Sequence, residues 1–321
     1  MAEGGCRTGS RHPLKRRALL AALPATACAQ SQDGPLATPF DLPPRSGSLR
    51  PLGGLVLNRA AIGFGGFSGL HLDQALNLTV ISDTGRWFRA PLLLQGERPT
   101  GLGPVTSGLL RDGSGESLRR GRTADAEALV RRPDGSWLVG FERWHRIRAF
   151  TALDAPGSFF EAPPGLELAP ANGGLEALAA LTDGRLLAIA EFQADPADPA
   201  LRRAWLGGPG AWRSVGYRPA PGFAATDAAG LPDGGALVLE RRFALIEGGF
   251  TARLVHLPPA ALRATTLEGQ PILSFPPDGP AENYEGVAVL RRGDALWLAL
   301  ISDDNQNAFQ RSLLLLYAWT G

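Results

Sequence analysis

NYEGVAVLRRGDALWLALISDDNQN, residues Asn283–Asn307, decides the fold. It opens on the polar tripeptide Asn283, Tyr284, Glu285. An apolar run follows, then a turn at Gly293-Asp294. The strongly β-forming run Ala295–Ile301 comes next and ends in Ser302, Asp303, Asp304 and Asn305. A pair of strands whose ends carry carboxylates and amides is a place for a hard cation, because such ions take oxygen ligands.

The same grammar occurs four times upstream. FSGLHLDQALNLTVISDTG (Phe67–Gly85) closes on Asp83. DAEALVRRPDGSWLVGFER (Asp125–Arg143) closes on Glu142. NGGLEALAALTDGRLLAIAE (Asn172–Glu191) closes on Glu191. DAAGLPDGGALVLERRF (Asp227–Phe243) closes on Glu240. The anchors Ser68, Glu127, Glu176, Asp227 and Glu285 are separated by 59, 49, 51 and 58 residues. A period of about 50 residues is the length of a four-stranded propeller blade. Asp-Gly turns between apolar runs predict hairpins, since glycine supplies the positive φ they require. After each closing acid there is room for two more strands, in the fourth copy Phe250–Leu257 and Thr265–Phe275. The run Leu52–Leu57 precedes the first copy without a partner, and the chain stops after Leu313–Trp319. Pairing these two closes a ring and hides both sheet edges. The expected fold class is therefore all-β, a β-propeller of four-stranded blades. Five repeats are readable; six blades follow if one has lost its signature.

The 41 glycines and 27 prolines agree with many short elements joined by turns. Residues 1–29 read differently. Basic residues between Arg11 and Arg17 precede the apolar segment Ala18–Ala27 and the small-residue end Ala27-Cys28-Ala29. That layout predicts a signal peptide and an exported protein, periplasmic or extracellular. Arg16-Arg17 also fits a twin-arginine signal. Two alternatives stay open: a lipoprotein signal with a lipid anchor on Cys28, and a disordered basic tail. Residues 30–50, rich in Pro, Ser and Gly, read as a linker, and 51–321 as the propeller domain. Without residues 1–29 the chain keeps 27 basic and 30 acidic side chains, with no lysine and no cysteine. Such a surface argues against nucleic acid as a partner. Disulfides and cysteine-based metal sites are excluded for that chain.

Taken in order, the five copies resemble the phytase-like domain family, also called the esterase-like activity of phytase family. The resemblance covers roughly residues 50–320. It implies a β-propeller, often exported by bacteria, that hydrolyses a phosphoric or carboxylic ester. The better-known propeller phytases use calcium, which makes Ca²⁺ the expected cofactor.

The repeated acids are Asp83, Asp125, Glu127, Glu142, Glu176, Glu191, Asp227, Glu240, Glu285, Asp303 and Asp304. Equivalent positions of successive blades meet around one axis, so these acids converge. Crowded carboxylates stay ionised only beside a cation or arginines. We expect Asp83, Glu127, Glu176, Glu285 and Asp303 to hold the metal. Asn172, Asn283 and Asn305 could add amide oxygens. Glu142, Glu191 and Glu240 are candidate general bases. Arg86, Arg143 and Arg241 are candidate phosphate clamps, because their fork is bidentate. The competing reading has the acids capping strand ends or pairing with Arg143, Arg241 and Arg242. A serine nucleophile is less well supported: Gly66-Phe67-Ser68-Gly69 is followed by Leu70 where an elbow needs glycine, and His71 and His145 each stand alone. Trp87, Phe88, Trp144 and Phe309 are read chiefly as packing residues. The functional expectation is a hydrolase of a small-molecule ester or phosphoester. The alternatives are a non-catalytic binding propeller with a structural metal and a lactonase-like enzyme.

Overall fold

The apolar runs of the repeats become strands buried on both faces. In Leu186–Ala194, Leu187 and Ile189 belong to one core cluster, while Leu186, Ala188 and Ala190 belong to another. Side chains alternate across a strand, so a strand between two neighbours is apolar at every position. The computed structural model describes residues 34–45, 47–119, 121–245, 249–305, 307 and 309–321. The expected signal peptide and Cys28 lie outside the described residues.

Among the described residues, five sheets whose blade strands run antiparallel form a five-bladed β-propeller. Blade 1 runs outward through Phe67–Leu72, Asn77–Ser82, Arg86–Gln95 and Arg98–Leu102, with Thr106–Leu109 also paired to its third strand. Blade 2 is Ala126–Arg131, Trp137–Phe141, Arg146–Phe150 and Ser158–Phe160. Blade 3 is Leu175–Ala180, Leu186–Ala194, Arg202–Gly207 and Arg213–Tyr217. Blade 4 is Ala224–Gly230, Ala236–Ala244, Gly249–Leu257 and Gln270–Phe275. Blade 5 is Asn283–Arg292, Ala295–Asp303, Leu313–Trp319 and Leu49–Leu57. The first strand of each blade neighbours that of the next, and blade 5 returns to blade 1. The ring closes as the repeats predict, by pairing Val56 with Leu313 through to Leu49 with Trp319.

The core is split into five clusters, each between two successive blades. Burying one leucine or isoleucine there stabilises the fold by about 1.5–3 kcal/mol. The hairpin turns are set locally: Asp134 accepts from the Ser136 N–H and Asp183 from the Arg185 N–H, with Gly135 and Gly184 at φ 83° and 86°.

Two readings change. The stretch expected as a linker contributes Ala37–Phe40, which pairs with Leu49–Leu57 as the outermost strand of blade 5. Pro39 is tolerated because an edge strand has one side that needs no N–H. Thr265–Phe275 is not one strand. Thr266–Leu267 joins blade 3 in parallel to Gly216–Tyr217, and only Gln270–Phe275 returns to blade 4. Gly269 makes that break possible, since a Cβ there would lie 2.4 Å from the His256 carbonyl oxygen. No helix among the described residues is long and apolar enough to cross a membrane.

Candidate metal centre

Each blade's first hairpin carries a register shift near the start of its inner strand. The shifts fall between Phe67 and Leu70, Ala126 and Ala128, Leu175 and Ala177, Ala225 and Asp227, and Tyr284 and Gly286. A β-bulge leaves one residue out of the ladder and re-aims its side chain. The bulged residues are Ser68, Glu127, Glu176, Thr226 and Glu285. The residue that closes the facing strand forms a second set. Asp83, Glu142 and Glu191 bond through their N–H to Gly66, Asp125 and Gly174, while Arg241 and Asp303 pair with Ala224 and Asn283.

Apart from Thr226, these two sets meet in a cavity of about 200 Å³. Its lining holds the carboxylates of Asp83, Asp125, Glu127, Glu142, Glu176, Glu191, Glu285 and Asp303, with Ser68, Asn172 and Asn305. Among the described residues two cations line it, Arg143 and Arg241. All five expected metal ligands are therefore brought together.

The acids fall into linked groups. Oxygens of Asp125, Glu127 and Glu142 lie within 4.8 Å of one another, and so do those of Glu142, Glu176 and Glu191. Glu142 is held by the N–H groups of Gly173 and Gly174. Arg143 Nε meets Asp125 Oδ2 at 2.6 Å. The Arg143 backbone is left-handed at φ 55°, a conformation costing a non-glycine residue about 1 kcal/mol. Asp303 Oδ1 is buried without a hydrogen-bond partner, its residue only 8% exposed.

Burial, reinforced by neighbouring charge, makes these groups hold their protons more tightly than free carboxylates do. Glu127 is pushed well above the usual carboxylate range by burial and then by Asp125 and Glu285. Burial and the charge of Glu127 do the same to Glu176. Burial raises Glu285 to about 8 against the pull of Arg241, and Asp303 to about 7. Asp125 and Glu191 rise to about 6, again through burial, each opposed by its arginine. A cavity that confines so much latent negative charge suits a divalent cation. The donors are all oxygen, the chemistry of a hard ion with 6–8 ligands. An orphaned buried carboxylate oxygen fits the same conclusion, since such atoms are costly without a partner.

Not every candidate belongs here. Glu240 lies outside the cavity, fully buried against Arg253, and accepts the Tyr217 hydroxyl at 2.6 Å. It stands one residue before the cavity position, so strand alternation sends it to the other face. Arg241 holds that position instead. Asp227 likewise sits one residue past the bulge; its oxygens accept the N–H groups of Ala228 and Val287, both at 2.8 Å, tying blade 4 to blade 5. Asp304 is paired with Arg59 at 3.1 Å and Ser312 Oγ at 2.9 Å. Arg86 lies in a neighbouring cleft of about 570 Å³ with Arg59, Arg119, Thr84, Phe64 and Leu109. The missed residues, the cleft's Arg59 and Arg119, carry no acid signal to follow. His71 stacks edge-on against Trp137 at 5.3 Å, and burial lowers its pKa to about 4. His145 Nε2 contacts the Pro170 carbonyl at 3.0 Å. No histidine among the described residues lines the acidic cavity, so no serine–histidine pair assembles on Ser68. Phe88 and Trp87 pack in core clusters as expected, but Trp144 and Phe309 are 57% and 95% exposed.

A sequence model of a family described as phytase-like, esterase-like activity of phytase, matches residues 62–306. No curated protein matches the chain. Solved structures that the chain matches include a gluconolactonase from Xanthomonas campestris, at 12% identity and TM-score 0.46, covering 89% of this chain and 98% of that one. A virginiamycin B lyase from Staphylococcus aureus matches at 8% identity and TM-score 0.43, covering 88% and 94%. A thermostable family-43 glycoside hydrolase matches at 9% identity and TM-score 0.46, covering 79% and 89%.

Proposed function

Because the chain belongs to the phytase-like family, we propose that its acidic cavity holds Ca²⁺ and that an ester, phosphoric or carboxylic, is hydrolysed there. One observation carries this reading: carboxylates from blades 2 and 3 form two oxygen clusters that share Glu142, each within 4.8 Å. Asp125, Glu127, Glu142 and Glu176 would hold the ion, with Asp83 beside them in the same cavity. When bound, Ca²⁺ supplies positive charge that draws electrons from the ester oxygens.

The chain's own groups do the rest. Glu142, fixed by two backbone N–H groups, keeps its orientation whether or not an ester is present. Arg143, with 45% of its side chain exposed, faces the solvent side of the cluster and orients an oxyanion. Glu191, held by Arg241 at 2.8 Å, accepts the proton of an attacking water. The arginine-lined cleft takes the anionic end of the substrate: Arg86 lies over the Phe64 ring at 5.1 Å, and its guanidinium edge is left for an oxygen.

The test is direct. Purified protein lacking residues 1–29 is screened with phosphate monoesters, phosphodiesters, lactones and p-nitrophenyl esters, with calcium or with a chelator. Calcium-dependent turnover of one class, lost in Glu142→Gln, is the expected result. Calcium binding without turnover of any class would instead assign a non-catalytic binding propeller. We also propose export by residues 1–29. N-terminal sequencing of protein from the producing cell should start near Gln30 or show an acylated Cys28; a chain starting at Met1 sinks the export reading.

A further inference from the structure

Blade 4 breaks the pattern of the cavity. At the position that closes the second strand, the other four blades carry Asp83, Glu142, Glu191 and Asp303. Blade 4 carries Arg241. At the bulge it carries Thr226, whose hydroxyl bonds the Tyr284 carbonyl at 3.0 Å. One side of the ring thus lacks both acids and gains a cation.

Both terminal nitrogens of the guanidinium are engaged by oxygens of its neighbours. Nη2 meets Glu191 Oε1 of blade 3 at 2.8 Å. Nη1 meets Glu285 Oε1 of blade 5 at 2.9 Å and Asn283 Oδ1 at 2.5 Å. Three oxygens from three residues on two flanking blades converge on one positive group, as they would on a calcium ion. Asp303 Oδ1, buried and unpartnered, completes the acidic wall on that side.

We infer that Arg241 is a tethered cation that takes the place of a metal ion on the blade 4–5 side of the cavity. It sets how many ions the ring accepts and confines them to blades 2 and 3. The inference rests on the cavity being a calcium site, but its test is separable from that reading. A guanidinium cannot leave, so this side stays neutralised when calcium is withdrawn. It also fixes Glu191 and Glu285, which bind it instead of moving toward an ion.

The experiment counts calcium bound per chain at saturation by equilibrium dialysis. Arg241→Gln should bind one more ion than the wild type, because Glu191, Glu285 and Asn283 are released and join Asp303 in a second site. Arg241→Lys keeps the charge and should bind the wild-type number. The wild-type number tests the calcium reading; the difference between variants tests Arg241. Should chelator unfold Arg241→Gln, calcium must refold it, seen by recovery of its β circular dichroism. An equal or smaller number of ions in a folded Arg241→Gln, or a variant that calcium cannot refold, overturns the inference. A residue serving only as a brace between blades would change stability without changing the number of ions.

Discussion

Blades 3 and 4 are built alike and charged differently. Both start with a bulged inner strand, both turn through an Asp-Gly pair at Asp183-Gly184 and Asp233-Gly234, and both bury alternate residues against two neighbours. Blade 3 offers Glu176 and Glu191 to the cavity; blade 4 offers only Arg241 and buries Thr226 against the Tyr284 carbonyl. The difference teaches that backbone geometry and cavity chemistry are separable. Residues facing the next blade are held by packing, whereas those facing the axis answer only to charge, so an acid can become an arginine without altering the ladder.

The largest effect expected tests the packed side. Leu239→Ala in blade 4 empties a fully buried position between blades 4 and 5. It should destabilise the protein by about 2–5 kcal/mol in denaturant titration and leave the calcium stoichiometry unchanged. A loss below about 1 kcal/mol would mean that the blades are not tightly packed there.

Next come two glutamates that look equivalent in sequence. Glu240→Ala strands Arg253 and the Tyr217 hydroxyl in a buried network, and should cost about 3 kcal/mol with or without calcium. Glu176→Gln acts oppositely. It removes charge from the crowded cavity, so it should raise the melting temperature in chelator and abolish most of the gain from calcium. That gain is about 2.7 kcal/mol at a hundredfold excess over Kd. Equal behaviour of the two variants would erase the distinction between blade interface and axis.

The pH dependence sharpens the same contrast. The cavity acids hold their protons more tightly in the folded chain than in the unfolded one. Their contribution is full below their usual values, 4.5 for Glu285 and 3.8 for Asp303. It is lost as pH rises through about 7 for Asp303 and about 8 for Glu285. Chelated protein should therefore lose stability between about pH 5 and 8, at up to about 1.4 kcal/mol per pH unit for each proton released. Calcium binding releases those protons and should flatten the curve. A melting temperature that rises across this range in chelator would contradict the buried cluster.

The smallest effect belongs to the solvent side of the turns. Arg185 pairs with Asp183 at 2.7 Å, with side chains 38% and 52% exposed. Arg185→Ala should change stability by about 0.5 kcal/mol or less. A larger loss would show that the turn, and not the blade interface, limits the hairpin.

Strand type and closure were legible in the sequence because they are local or periodic, and the blade number was legible to within one, five or six. Apolar runs such as LLAIA and ALVL, Asp-Gly turns and a spacing near 50 residues each specify an element without knowledge of its neighbours. The set Asp83, Glu127, Glu176, Glu285 and Asp303 was legible for the same reason, as acids at repeated places. What lay beyond the sequence was register. A side chain in a strand points to the axis or away from it according to a shift of one residue, and the bulges that make that shift leave no residue signature. Hence Asp227 and Glu240, acids at the expected spacing, face the blade interfaces. Arg241, beside Glu240 in the chain, faces the cavity. The sequence alone determined a ring of blades with an acidic mouth. Which acids share that mouth, and that an arginine stands among them, was decided only when the ladders paired, because pairing across strands sets the direction of every side chain they carry.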